Sequence, residues 1–200
     1  TRRYIEFQPD ERPVGVQLFG ANPERLAEAA KAVIDWVGPD FIDLNFGCPV
    51  NKVVSRNGGS SLLKDCPLLK KVAATGKPVI MSTGMATLAE IDEAVRTLRK
   101  AGCTQLALLK CTSAYPSLPE DMNLRTIPHL AEAFQLPVGL SDHTLGIAVP
   151  VAAVALGACI IEKHLTLRRS DGGPDAAFSL EPAEFRAMVD AVRVAEKALG

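Results

Sequence analysis

The sequence contains few aromatic residues and no long hydrophobic run. Phe, Trp and Tyr make up 5% of the 200 residues, whereas hydrophobic residues as a whole make up 48%, so the core is expected to be aliphatic. No apolar segment approaches the roughly 18 residues that a membrane-spanning helix needs, and no targeting segment is visible. We therefore expect no membrane partner.

An excess of charge of one sign and closely spaced cysteine pairs are also missing. The formal net charge is −1, which gives no support to nucleic-acid binding. The five cysteines are scattered and form no Cys-x-x-Cys pair. An odd number of cysteines without a signal peptide favours a reducing cytoplasm over a disulfide scaffold. We expect a cytoplasmic protein or a recombinant product, since the chain opens at Thr1 without an initiator Met and looks trimmed.

Short apolar runs alternate with amphipathic helical patterns along the chain. Helices are predicted to begin after Asn22, which precedes Pro23, and after Thr87, which forms a capping box with Glu90. The six predicted strands lie at residues 14–19, 41–46, 78–81, 106–109, 138–140 and 159–161. This alternation predicts an α/β fold with parallel strands, a single TIM-barrel-like (βα) domain spanning residues 1–200.

A complete barrel of this type has eight strands, and residues 4–7 are a candidate for a seventh. We expect the open sheet edges to be satisfied by this N-terminal element or by self-association into a homo-oligomer. No Gly-x-Gly-x-x-Gly follows the first strand, which argues against a dinucleotide site. Polar residues instead cluster just after the strands, where (βα) barrels place their active sites.

Two histidines occupy matching places in two successive strand–helix units. His143 and His164 each follow a short apolar run that ends in a polar triplet. Consecutive parallel strands are usually neighbours, about 4.8 Å apart. Both imidazoles are therefore expected at one rim, close enough to share a metal ion. The alternative is that they are unrelated loop residues.

Residues 11–70 resemble the tRNA-dihydrouridine synthases. The resemblance is carried by ERPVGVQLFG at residues 11–20, FIDLNFGCP at 41–49, and the segment 52–63. In that family these are the third and fourth strands of an FMN-binding barrel. The resemblance implies that Gln17 contacts flavin, Asn45 contacts uracil and Cys48 donates a proton.

Residues 75–200 resemble the sialic acid synthase family, above all the pseudaminic acid synthases. The carriers are GKPVIMSTGMAT, KCTSAYP, SDHTLG, EKH, and GPD with FSLEP at residues 178–182. The resemblance implies the fifth to eighth strands of a barrel in which His143 and His164 bind a divalent metal, usually manganese. It further implies that Ser82, Ser113 and Ser141 help bind phosphoenolpyruvate, which the enzyme condenses with an amino sugar. From the residues alone, the serines could equally be strand-end caps without a ligand.

The two resemblances together predict a recombined or engineered barrel with a seam near residues 70–77. Neither active site would be complete, because the first four strands of the synthase, with a catalytic Glu and two lysines, and the flavin-binding lysine of the other family are missing. We therefore expect no native activity and no FMN, with Gln17, Asn45 and Cys48 as relics. Weak binding of Mn²⁺ and of a phosphate or sulfate ion is expected. The alternative is a phosphoenolpyruvate-dependent synthase that forms a carbon–carbon bond.

Three further residues flank the histidines in the sequence. Asp142 and Glu162 are candidates for orienting the imidazoles from behind. Lys163 is predicted to be structural, since alternation along the strand points it away from its neighbours.

Overall fold

In the computed structural model of the chain, residues 5–20, 22–45, 65–173 and 175–200 are described. Strands and helices alternate along them. The strands are β1 Gly15–Leu18, β2 Phe41–Leu44, β3 Val79–Ser82, β4 Leu106–Cys111, β5 Val138–Asp142 and β6 Ile161–Lys163. The α-helices are α1 Pro23–Val37, α2 Cys66–Ala73, α3 Leu88–Lys100, α4 Thr126–Phe134, α5 Ala148–Ala155 and α6 Pro182–Leu199.

All pairings among these strands are parallel. β1 pairs with β2 in a two-stranded sheet, and β3, β4, β5 and β6 form a four-stranded sheet in chain order. The predicted α/β fold with parallel strands is confirmed, as is the number of six strands in the described part of the chain. These strands form a half-barrel in two sheets, not a closed barrel. Residues 5–7 form no strand, and residue 4 lies outside the described residues.

The predicted helix signals act as expected. The Asn22 side chain accepts a hydrogen bond from the Arg25 backbone N–H at 2.8 Å, and α1 ends at Gly38, whose φ of 57° lies in the left-handed region that favours glycine. The hydroxyl of Thr87 accepts from the Glu90 N–H at 3.3 Å, while the Glu90 carboxylate accepts from the Thr87 N–H at 2.8 Å. These caps fix where α1 and α3 begin.

β5 and β6 extend further into polar sequence than predicted. β5 continues through Ser141 and Asp142, and β6 contains Glu162 and Lys163 instead of ending at Ile161. The ladder continues because Ser141 lies opposite Glu162 and Asp142 opposite Lys163, and the side chains of each pair are hydrogen-bonded. A prediction from apolar runs therefore finds only the apolar part of each strand and misses the polar residues at its end.

The core lies where the helices cover the four-stranded sheet. Leu98 of α3, Leu108 of β4 and Leu140 of β5 are fully buried in one cluster. Leu88, the first residue of α3, is by contrast 51% exposed. None of the helices in the described ranges has the length and apolar character that crossing a membrane requires.

Truncating Leu98 tests this core. We expect Leu98→Ala to lower the free energy of unfolding by about 2–5 kcal/mol, because the cavity it leaves lies among packed side chains. Leu88→Ala is the matched control in the same helix and should cost less than about 1 kcal/mol, since Leu88 is half exposed. Urea denaturation measures both values. Equal losses would contradict the assigned burial.

Candidate active site

The register between β5 and β6 brings the two predicted metal ligands to the same height. Asp142 lies opposite Lys163, so His143 and His164 follow at the same level. Their ring centroids are 5.3 Å apart and the ring planes are inclined by 54°. The structure thus brings together the two histidines that the sequence places at one rim.

Alternation along the strands gives this rim two faces. Ser141 and His143 in one segment and Glu162 and His164 in the other share a face. On that face the Ser141 hydroxyl donates a hydrogen bond to the Glu162 carboxylate at 2.5 Å. Glu162 therefore lies among the same group of side chains as the imidazoles.

His143 is held in the form that binds metals. Its Nδ1 lies 3.0 Å from the carbonyl oxygen of Thr112. Because a carbonyl only accepts hydrogen bonds, Nδ1 carries the proton and the lone pair of Nε2 is left for a ligand. Burial of His143, a residue that is 6% exposed, lowers its pKa. The neutral imidazole is therefore favoured.

Two aromatic rings that sequence reasoning gave no role enclose the histidines. Tyr115 lies 4.3 Å from the His143 ring and Phe178 lies 5.1 Å from the His164 ring, centroid to centroid. Tyr115 and Phe178 are 5.9 Å apart, and His164 Nδ1 lies 3.9 Å from a carboxylate oxygen of Asp175. Tyr115 and Asp175 belong to the quoted KCTSAYP and GPD motifs, which could have indicated them.

The three predicted phosphate-binding serines differ in their surroundings. Ser82 ends β3 and is half-buried, whereas Ser113 follows β4. Within the described residues, the buried Ser113 Oγ has no hydrogen-bond partner. The proton of Ser141 is already donated to Glu162. The Ser113 hydroxyl is therefore a buried donor that a ligand could satisfy, whereas that of Ser141 is already used.

The predicted flavin contact, Gln17, lies in β1, and the predicted uracil contact, Asn45, directly follows β2. The amide nitrogen of Gln17 donates to Asp43 at 2.5 Å, and its amide oxygen accepts from Asn45 at 2.9 Å. Both ends of the Gln17 amide are thus used between β1 and β2. Cys48 lies outside the described residues, so its predicted role has no structural counterpart.

Neither of the two flanking carboxylates bonds to an imidazole. Asp142 binds Lys163 and Thr144, and Glu162 accepts from Ser141. In the part of the chain that the structure describes, no three His, Cys, Asp or Glu side chains are grouped so that they could hold a metal. The two histidines stay a predicted metal pair.

Comparison with known proteins gives the family. The sequence profile of the NeuB family matches residues 40–200. N,N'-diacetyllegionaminic acid synthase from Campylobacter jejuni is 41% identical over 188 residues, covering 90% of this chain and 55% of that protein. N-acetylneuraminate-9-phosphate synthase from Homo sapiens is 37% identical over 203 aligned positions, covering 100% of this chain and 53% of that protein. The chain belongs to the NeuB family and spans about half the length of these relatives.

A solved structure agrees with this assignment. The N-acetylneuraminic acid synthetase from Leptospira borgpetersenii, in complex with citrate, superposes with a TM-score of 0.71 at 31% sequence identity. The match covers 93% of this chain and 73% of that one. The half-barrel is therefore similar to the fold of a sialic acid synthase.

These matches show that the predicted chimera is wrong. The NeuB profile begins at residue 40, inside the segment attributed to dihydrouridine synthases, and the human relative aligns along the whole chain. The motifs at residues 11–20, 41–49 and 52–63 therefore do not mark a segment from a second family. The accompanying prediction of an engineered barrel without activity is wrong for the same reason, because the aligned relatives are synthases.

Removal of both imidazoles tests the metal pair. The double variant His143→Ala, His164→Ala should lose the calorimetric heat of Mn²⁺ binding, since it lacks both predicted ligands. His129→Ala is the matched control, because His129 is exposed on α4 and lies outside this site. Equal heats from the parent and the double variant would refute the pair.

The burial of His143 also predicts a pH dependence of stability. Its pKa is lowered in the folded protein, so the unfolded chain takes up the proton first, near its ordinary value of about 6.5. The free energy of unfolding should therefore fall as the pH drops below about 6.5. His143→Leu should weaken this fall between about pH 7 and pH 5, whereas His129→Leu should retain it. Urea denaturation midpoints are measured at each pH. The same pH dependence in the parent, His143→Leu and His129→Leu would disprove the role of His143.

Proposed function

We propose that this chain forms the metal- and phosphate-binding half of an enzyme that condenses phosphoenolpyruvate with an amino sugar. The observation that carries the proposal is the pair of facing imidazoles at the same end of the sheet as the unpartnered Ser113 hydroxyl. The synthase names of the relatives and the motif resemblance of residues 75–200 support the same reaction class.

The histidines fit a divalent cation. An imidazole bound at about 2.1 Å would have its centroid about 3.2 Å from the ion, so two imidazoles that share one ion can be at most about 6.4 Å apart. The observed centroid separation of 5.3 Å lies within that limit. Two protein ligands leave positions for water, substrate or a further side chain. When bound, the cation would act as a Lewis acid on the carbonyl oxygen of the sugar.

The side chains around the histidines bind and enclose substrate. Ser113 donates a hydrogen bond to an oxygen of phosphoenolpyruvate, which satisfies a hydroxyl that is otherwise buried without a partner. Tyr115 and Phe178 form an apolar wall that keeps water from one side of the imidazoles. In the reaction the methylene carbon of phosphoenolpyruvate bonds to the sugar carbonyl carbon, water adds, and inorganic phosphate leaves.

In the whole enzyme, we propose that further strands complete this half-barrel. Ile80 in β3 is 59% exposed and Leu167 after β6 is 73% exposed, although both are apolar. The curated relatives are about twice as long as this chain, which leaves room for the missing strands. Among the described residues, the outer edges of β3 and β6 have no partner strand. Further strands would pair these edges and cover Ile80 and Leu167.

A synthase assay with a serine variant tests the proposed function. The whole enzyme, including the strands that complete the half-barrel, is incubated with Mn²⁺, phosphoenolpyruvate and a panel of N-acetylated amino sugars. We expect sugar-dependent phosphate release, with a keto acid detected by mass spectrometry. Ser113→Ala should reduce kcat/KM for phosphoenolpyruvate by roughly 10- to 100-fold, because it removes a hydrogen bond to a charged ligand.

Ser170→Ala is the matched control, since Ser170 is exposed in the turn Arg169–Asp171. It should leave turnover unchanged. Binding of Mn²⁺ without any phosphate release would contradict the proposed function and leave only a binding module. Release that is insensitive to Ser113→Ala would contradict the role of this hydroxyl.

A further inference from the structure

A fully buried ion pair lies directly behind the two histidines. The Lys163 ammonium and an oxygen of the Asp142 carboxylate are 2.5 Å apart, and the side chains are 1% and 0% exposed. The two residues are cross-strand partners in β5 and β6. Each residue immediately precedes a histidine of the site. Because side chains alternate along a strand, both point to the face of the sheet opposite that of the histidines.

Both members of the pair also bind the residue that follows His143. The second oxygen of Asp142 accepts from the backbone N–H of Thr144 at 2.9 Å and from its hydroxyl at 2.8 Å. Lys163 donates a further hydrogen bond to the Thr144 carbonyl. The peptide that carries His143 is therefore held on both sides, at residues 142 and 144, by one network anchored in β6.

Stability alone does not account for this pair. Removing two charges from water carries a large desolvation penalty, and apolar residues of similar volume are often as stabilising or more so. Apolar contacts are not directional, whereas hydrogen bonds are. The carboxylate and the ammonium therefore fix both the spacing and the register of β5 and β6 through several short, oriented hydrogen bonds.

We propose that Asp142 and Lys163 are positioning residues that set the separation of the His143 and His164 imidazoles. The pair locks the two strands one residue before the ligands, and its bonds to Thr144 restrain the peptide of His143. Neither side chain contacts the metal or the substrate. This inference rests on the metal site of the proposed function.

The test removes both charges at once. The double variant Asp142→Asn, Lys163→Met leaves no buried unpaired charge, so we expect it to fold, with a Tm close to that of the parent. Its Mn²⁺ affinity should nevertheless fall roughly 10- to 100-fold, as it does when groups that orient metal ligands are removed. The visible absorption of the Co²⁺-loaded protein, which reports ligand geometry, should also change.

A matched control neutralises another ion pair, one that is far from the two histidines in the sequence. Asp92→Asn, Arg96→Met removes the exposed ion pair on α3, whose nitrogen and oxygen are 2.7 Å apart. It should leave the Tm, the Mn²⁺ affinity and the Co²⁺ spectrum unchanged. A change in the Mn²⁺ affinity of this control as large as that of the Asp142–Lys163 variant would overturn the inference.

The outcomes separate this inference from the proposed function. If the parent binds Mn²⁺ through the histidines and the double variant binds it equally tightly with the same Co²⁺ spectrum, the positioning role is refuted while the metal site stands. If the parent binds no Mn²⁺, the metal site fails and this inference fails with it. Should the double variant unfold, Lys163→Arg keeps the charge but changes the reach of the side chain. It should lower Mn²⁺ affinity, and parental affinity in this variant would equally refute the positioning role.

Discussion

The hydrogen-bonded register between β5 and β6 is the constraint on which the arrangement of the site depends. It sets Asp142 opposite Lys163 and carries both histidines to one face at one height. A slip by one residue would turn a histidine toward the helices and bring a buried charge to the open face. Gly139 allows the strands to approach closely, because a Cβ there would lie 2.5 Å from the Ile160 carbonyl oxygen.

The two faces of the β5–β6 pair have different roles. On the side of the helices, the ion pair and the packed core hold the strands rigidly, and on the open side polar groups are left for a ligand. Burial lowers the pKa of His143 and raises that of the Cys111 thiol, so both side chains are favoured in their neutral forms. A neutral imidazole at the same end of the sheet as an unused hydroxyl, that of Ser113, suits a cation and an anionic substrate bound together.

Much of this architecture could be predicted from the sequence, because periodicity and helix caps are local signals. The six strands, the caps at Asn22 and Thr87 and the common rim of the two histidines all follow from them. The polar ends of β5 and β6 could not be predicted, since pairing such as Asp142 with Lys163 depends on a partner distant in sequence. The wall formed by Tyr115 and Phe178 comes from loops, which have no periodicity. The segment 11–70 misled because its motifs were interpreted separately from the rest of the chain, whereas the human relative aligns along the whole chain.

A crystal structure of the Mn²⁺-loaded protein, with anomalous diffraction, tests the central claim most directly. We expect one anomalous peak roughly 2 Å from the Nε2 atom of His143 and at the same distance from a ring nitrogen of His164. The Nδ1 atom of His143 should still face the Thr112 carbonyl. A peak elsewhere, or two imidazoles that turn apart with no ion between them, would contradict the claim that this register builds a metal site.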